Sequence, residues 1–129
     1  MQIEHIALWT YQLERMREFY EKYFQARAGS KYQNKAKKYS SYFLSFSSGA
    51  RLELMSRPGI SEHESQIDEY FAGYTHMSFA CGSEKGVNEL TERLRNDGYL
   101  VADGPRHTGD GYYESVIMDP DGNHVEITV

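Results

Sequence analysis

The chain repeats itself, and that constrains its fold more than any other property. Glu53 follows His5 by 48 residues and Glu126 follows His76 by 50. Gly49 and Gly122 each stand four residues ahead of their glutamate, and Leu52-Glu53-Leu54 matches Val125-Glu126-Ile127. Self-similarity of this kind marks a duplicated supersecondary unit. Each half reads as a strand, a helix and three further strands. The expectation is an α+β chain of two βαβββ modules in tandem, with curved mixed sheets. Module one takes 1–57, a linker 58–73 and module two 74–129, all within a single domain of 1–129.

The periodicities carry that reading. Gln2 to Trp9 alternates around Ile6 and Leu8, leaving His5, Ala7 and Trp9 on the second face. Leu13, Met16, Phe19, Tyr20, Tyr23 and Phe24 recur at helical spacing, which predicts about three turns, with Gly29 placed to stop the helix or open the loop after it. Ser41 to Ser47 and Arg51 to Met55 follow as strands across a Ser48-Gly49 turn. In the second half, Thr75 to Cys81 predicts a strand with Met77, Phe79 and Cys81 facing the core. Ser83 is placed to cap a helix burying Val87, Leu90 and Leu94 and ending at Gly98. A short strand over Tyr99 to Ala102, a glycine-rich connection and a strand over Tyr112 to Met118 come next. Asp119-Pro120-Asp121-Gly122-Asn123 is a turn by composition, since Pro presets φ and Gly or Asn accepts positive φ. The closing strand puts Val125, Ile127 and Val129 on one face and Glu126 on the other. The polar linker holds one apolar cluster, Ile67, Tyr70 and Phe71, that suits a single helical turn.

Charge and composition exclude several classes of function. A net charge of −5 gives no electrostatic reason for nucleic acid or an anionic membrane as partner. The local exception, Lys31, Lys35, Lys37 and Lys38, reads as a solvated mobile loop. A lone cysteine, Cys81, excludes an intramolecular disulfide framework and suits a reducing compartment; it reads as a buried, inert thiol. The N-terminus shows neither a basic region nor an apolar run. A cytoplasmic location is the expectation.

Taken singly, His5, Glu53, His76 and Glu126 each have a structural explanation. A histidine on a half-apolar strand is usually a satisfied core or surface residue, Glu53 has Arg51 two positions away on its own face, and Glu126 fits a wetted rim. Their correspondence changes the weighing. Carboxylates on strands this apolar must be solvated, paired or metal-bound. Two imidazoles and two carboxylates brought to one point suit a divalent first-row ion such as Ni, Co, Zn or Mn.

The opening Ile3-Glu4-His5-Ile6-Ala7, the closing Asp-Pro-Asp-Gly-Asn-His-Val-Glu-Ile and the βαβββ repeat resemble the vicinal oxygen chelate superfamily. Glyoxalase I, methylmalonyl-CoA epimerase, fosfomycin-resistance transferases, extradiol dioxygenases and bleomycin-resistance proteins belong to it. The His, Glu, His, Glu order is similar to bacterial glyoxalase I. That resemblance implies His5, Glu53, His76 and Glu126 as ligands of a divalent metal ion, and a homodimer. It also implies an isomerisation in which a ligand glutamate, Glu126 or Glu53, moves a proton between adjacent carbons of a small-molecule substrate. The glutathione contacts of that family fall at positions filled here by Trp9 and Arg57, which departs from its pattern and puts glutathione in doubt. Arg57 offers a fork for a carboxylate or phosphate and Trp9 a flat apolar wall. One of Tyr112 and Tyr113, with Tyr113 preferred, is the further candidate for substrate binding. His63, His107 and His124 read as solvent-exposed. Other readings are an acyl-thioester epimerase, an oxidative or transferase enzyme of the same fold, against which the carboxylate of Glu53 counts, and a non-catalytic drug-sequestering binder of the bleomycin-resistance type.

Overall fold

The computed structural model describes residues 1–61 and 72–129. The cluster Ile67, Tyr70 and Phe71, with its expected helical turn, lies outside the described residues. The chain divides into two compact units, Met1–His63 and Glu64–Val129.

In the first unit β1 (His5–Trp9) leads into α1 (Leu13–Phe24), followed by the short strands β2 (Arg27–Ala28) and β3 (Tyr32–Asn34) and the longer β4 (Tyr39–Ser45) and β5 (Arg51–Ser56). The sheet runs β1-β5-β4-β2, with β3 also on β4. β1 is parallel to β5 and every other pairing is antiparallel. Helix α1 buries all six residues expected of its apolar stripe. They share the core with Leu44, Leu52 and Leu54, which come from one face of β4 and β5. Burying side chains of this size stabilises by about 1.5–3 kcal/mol each, so the face of the sheet toward α1 is fixed by packing. That alternation sends Arg51, Glu53 and Met55 to the opposite face.

Two expectations are revised here. The helix stops at Gln25 in the left-handed conformation, φ 55°, not at Gly29. The Gln25 N–H donates to the Tyr20 carbonyl, and the chain turns at once into β2. Gly29 instead donates its N–H to the Phe43 carbonyl at 2.9 Å. The lysine-rich stretch is no loose loop. β3 pairs with the start of β4, and the Asn34 side chain accepts the Lys37 N–H at 3.0 Å within the turn between them.

The second unit follows the same order with one strand fewer after its helix: β6 (His76–Ala80), α2 (Glu84–Asn96), β7 (Val101–His107), β8 (Tyr113–Met118) and β9 (His124–Thr128). Its sheet runs β6-β9-β8-β7, and again the first strand is parallel to the last. Ser83 caps α2 as expected, its Oγ accepting the Gly86 N–H at 3.1 Å. Val87 and Leu94 are buried, joined by Thr91 where Leu90 was expected. Thr91 tolerates full burial because its hydroxyl donates to the Val87 carbonyl and meets Ser115 Oγ, both at 2.6 Å.

β7 runs five residues past the expected end at Ala102, straight through Gly104-Pro105. Two register irregularities against β8 absorb that dipeptide. Gly104 has φ 75°, and a Cβ there would stand 2.6 Å from the Glu114 carbonyl oxygen. Cys81 is exposed rather than buried. It lies one residue past β6, an edge strand, where its thiol meets the Thr128 carbonyl at 3.3 Å. The turn into β9 is built on Asp119, whose Oδ1 accepts the backbone N–H of Asp121 at 3.0 Å and of Asn123 at 2.9 Å. Among the described residues no helix is long and apolar enough to cross a membrane.

Candidate metal centre

Strand register places each histidine against its glutamate. Ala7 pairs with Glu53 and Ser78 with Glu126, so in both units the histidine sits two residues upstream of the residue opposite the carboxylate. The parallel pairing of first and last strands therefore converts a separation of some fifty residues into a diagonal neighbour relation.

The resulting geometry repeats. His5 Nε2 lies 4.0 Å from Glu53 Oε2, and His76 Nε2 lies 3.5 Å from Glu126 Oε2. Both carboxylates are nearly enclosed, with 14% and 15% of the side chain exposed, while the two imidazoles are 40% and 41% exposed. In each unit the second carboxylate oxygen is held by a hydroxyl. Tyr39 donates to Glu53 Oε1 at 3.0 Å, and Ser78 donates to Glu126 Oε1 at 2.5 Å. Oε2 is thus the atom directed at the ring.

His5 is also oriented from behind. Its Nδ1 contacts Glu4 Oε2 at 2.5 Å, and Glu4 also pairs with Arg51. The hydrogen bond from His5, reinforced by Arg51, lowers the Glu4 carboxyl below its ordinary value. A carboxylate on Nδ1 fixes the tautomer that leaves Nε2 with a free lone pair, an arrangement common behind metal-bound histidines. Phe43 stands edge-on to the imidazole at 5.3 Å and holds the ring plane.

These donors fit a divalent ion. Two ligands each about 2.1 Å from one ion, at tetrahedral to octahedral angles, lie roughly 3.0–3.4 Å apart. The His76–Glu126 spacing is close to that, and the His5–Glu53 spacing is somewhat longer. Each unit alone supplies one nitrogen and one oxygen. Among the described residues no group of three or more His, Cys, Asp and Glu gathers tightly enough to hold an ion by itself.

The other expected site residues divide. Trp9 shares the His5 face of β1, and its ring meets Tyr39 edge-on at 6.2 Å, beside the Glu53 anchor. Burial raises the Tyr39 phenol above its ordinary value, and its hydrogen bond to Glu53 adds to this. Arg57 lines a cleft with the first turn of α1. Tyr113 is turned toward α2, its hydroxyl donating to Asn88 Oδ1 at 2.9 Å.

The next residue, Glu114, is the one on the Glu126 side of the sheet. Burial first, and then the Glu126 charge, push its carboxyl above the usual range, with Arg106 opposing. His124 pairs with His76 in register and is half-buried, not freely exposed. Ser78 was legible as a same-face neighbour of His76. Tyr39 and Glu114 carry no such signal, because their roles depend on cross-strand register, whereas Glu4 stands next to His5 in the chain.

A model of the Glyoxalase/Bleomycin resistance protein/Dioxygenase superfamily matches residues 2–127. An uncharacterised protein of Bacillus subtilis, YqjT, is 38% identical over 58 residues, covering 43% of this chain and 45% of that protein. The chain therefore matches less than half the length of this curated relative. Among solved structures, a possible glyoxalase from Bacillus cereus is 26% identical, with TM-score 0.73 over 100% of this chain and 99% of that one. The trypanothione-dependent glyoxalase I of Leishmania major superposes with TM-score 0.76 at 21% identity, covering 99% and 86%. A glyoxalase/bleomycin resistance protein/dioxygenase domain from Frankia sp. reaches TM-score 0.82 at 16% identity, covering 100% and 97%.

Proposed function

Because the chain belongs to the Glyoxalase/Bleomycin resistance protein/Dioxygenase superfamily, we propose that it is a metal-dependent lyase or isomerase of the glyoxalase I type, acting on a small oxygenated substrate. One observation carries the reading. In both units a glutamate oxygen faces a histidine Nε2 at 3.5–4.0 Å while a hydroxyl holds the other oxygen. The ligands are His5, Glu53, His76 and Glu126, and a four-donor set draws on both kinds of unit. A homodimer in the cytoplasm completes the reading, as the resemblance implies.

A divalent ion bound by these residues supplies Lewis-acid stabilisation of charge developing on the substrate oxygens. The chain's own residues do the rest. Glu126 and Glu53 are the proton carriers. Each keeps one oxygen anchored, by Ser78 or Tyr39, so the other can swing without losing its place, which is what a positioned base requires. Trp9 walls the substrate beside Tyr39. The Arg57 cleft lies with the first turn of α1, so Arg57 meets a substrate only round the end of the sheet, and Tyr113 joins only by giving up its bond to Asn88.

Elemental analysis of the purified protein, paired with an assay on the hemithioacetals of methylglyoxal with glutathione and with other thiols, tests the reading. The expected outcome is a stoichiometric divalent metal and isomerase activity that falls at least a hundredfold in Glu126→Gln or Glu53→Gln, the scale typical of losing a general base. A protein that purifies metal-free and keeps its ligand affinity in chelator is a sequestering binder instead. Activity confined to acyl thioesters assigns it as an epimerase.

A further inference from the structure

We propose that the first unit carries a binding site for a small, multiply charged oxyanion of the phosphoryl kind, in the cleft where the first turn of α1 meets the end of β5 and the β3–β4 hairpin. The cleft measures about 670 Å³ and is lined by Arg15, Lys31, Lys38 and Arg57, with Glu14 as the acid among them. This gathers four cations in a chain whose net charge is −5.

Glu14 offsets only one of them, Lys31. Its carboxylate is already engaged by Lys31 at 2.8 Å, Arg17 at 3.2 Å and the Tyr42 hydroxyl at 3.2 Å. Arg15 donates to the neutral Gln12 side chain at 2.8 Å and keeps its charge uncompensated. Lys38 and Arg57 show no side-chain hydrogen bond or ion pair among the described residues. Among the described residues, the Arg15, Lys38 and Arg57 charges therefore face the cleft without a carboxylate partner.

Neutral donors complete the surroundings. Ser40 and Ser56 line the cleft and are cross-strand partners. Ser56 falls, by alternation, on the Leu52 and Leu54 face of β5. The cleft therefore opens on the helix side of the sheet, away from Glu53. Gln12 makes no side-chain cap on α1, so the first-turn N–H groups lack the usual intrahelical and capping partners.

The charge count selects the ligand class. Three uncompensated cations exceed what one carboxylate neutralises and match a phosphoryl group, which carries close to two negative charges at neutral pH. Guanidinium forks suit its oxygens in pairs. The volume admits a small phosphorylated molecule and not just the ion. The inference shares Arg57 with the proposed function but requires no metal and no catalysis.

The test is titration calorimetry on the metal-free protein with inorganic pyrophosphate, inorganic phosphate and acetate. Saturable binding is expected for pyrophosphate, weaker binding for phosphate and none for acetate. Lys38→Gln and Arg15→Gln should each weaken pyrophosphate about fivefold, the upper range for one exposed ion pair. Lys85→Gln, an exposed lysine of α2, should change nothing. Raising the salt from 50 to 500 mM should weaken binding further, as screening of exposed charges demands. Absence of saturation overturns the proposal, as does equal weakening by Lys85→Gln. Melting curves of each variant confirm that these exposed positions leave the fold intact.

Discussion

Glu14 shows how a single residue ties helix to sheet. Its carboxylate takes the Lys31 ammonium from the β3 region and the Tyr42 hydroxyl from β4. The hydrogen bond from Lys31 is the main cause holding the Glu14 carboxyl below 4.5, and the same bond raises Lys31 above 10.5. The sign follows from linkage. A depressed acid contributes stability above its unfolded value, and that stability disappears as pH falls through the folded value; the raised amine loses its share as pH rises through its own. Both side chains are substantially exposed, so the pair is worth about 0.5–1 kcal/mol at most. Glu14→Gln should therefore lower the melting temperature by roughly 2–4 °C at pH 7. The gap to wild type should narrow progressively in melting curves recorded at pH values falling from 4.5 through the folded value. A gap of constant size throughout the acid range would assign the effect to packing.

At the scale of elements, the junction of β7 with β8 is the most tightly specified. Gly104 combines a left-handed φ with a backbone approach that leaves no room for a methyl group. Gly104→Ala should cost several kcal/mol, because strain and steric overlap with backbone act together. Denaturant unfolding should show the midpoint falling with the slope unchanged, whereas Gly98→Ala, with nothing within 4 Å, should show the left-handed penalty alone.

The same junction marks where the sequence stops being readable. Gly-Pro signals a turn, and only pairing with β8 reveals a strand that bulges around it. Thr91 misled in the same way, since a threonine looks polar until Ser115 arrives from another strand. By contrast, the α1 stripe, the Ser83 cap and the Asp119 turn depend on residues within a few positions of one another, and all three were legible. The two histidine–glutamate pairs were legible through their repetition. Of their hydroxyl anchors Ser78 was legible on the His76 face, and Tyr39 was not, because no spacing rule links Tyr39 to Glu53.

For the whole molecule, the proposal that His5, Glu53, His76 and Glu126 serve one ion has a direct thermodynamic test. Each unit offers a nitrogen and an oxygen, too few for a tight site. If one ion draws on both kinds of unit, nickel at a hundredfold excess over its dissociation constant should stabilise by about 2.7 kcal/mol. That corresponds to a rise of roughly 10 °C in melting temperature. His5→Ala and His76→Ala should then each abolish the whole rise. A rise merely halved by either substitution would show two independent weak sites.

The parallel docking of first strand against last also governs how each unit comes into being. β1 has no partner in its sheet until β5 exists, and β6 none until β9 does. On a growing polypeptide, each histidine-bearing strand must therefore wait for nearly the whole of its unit to be synthesised before it finds a neighbour. Such long-range closure slows folding. It also means that the imidazole and carboxylate of each pair meet only in the final step of assembly, so an ion caught between them would report a finished unit.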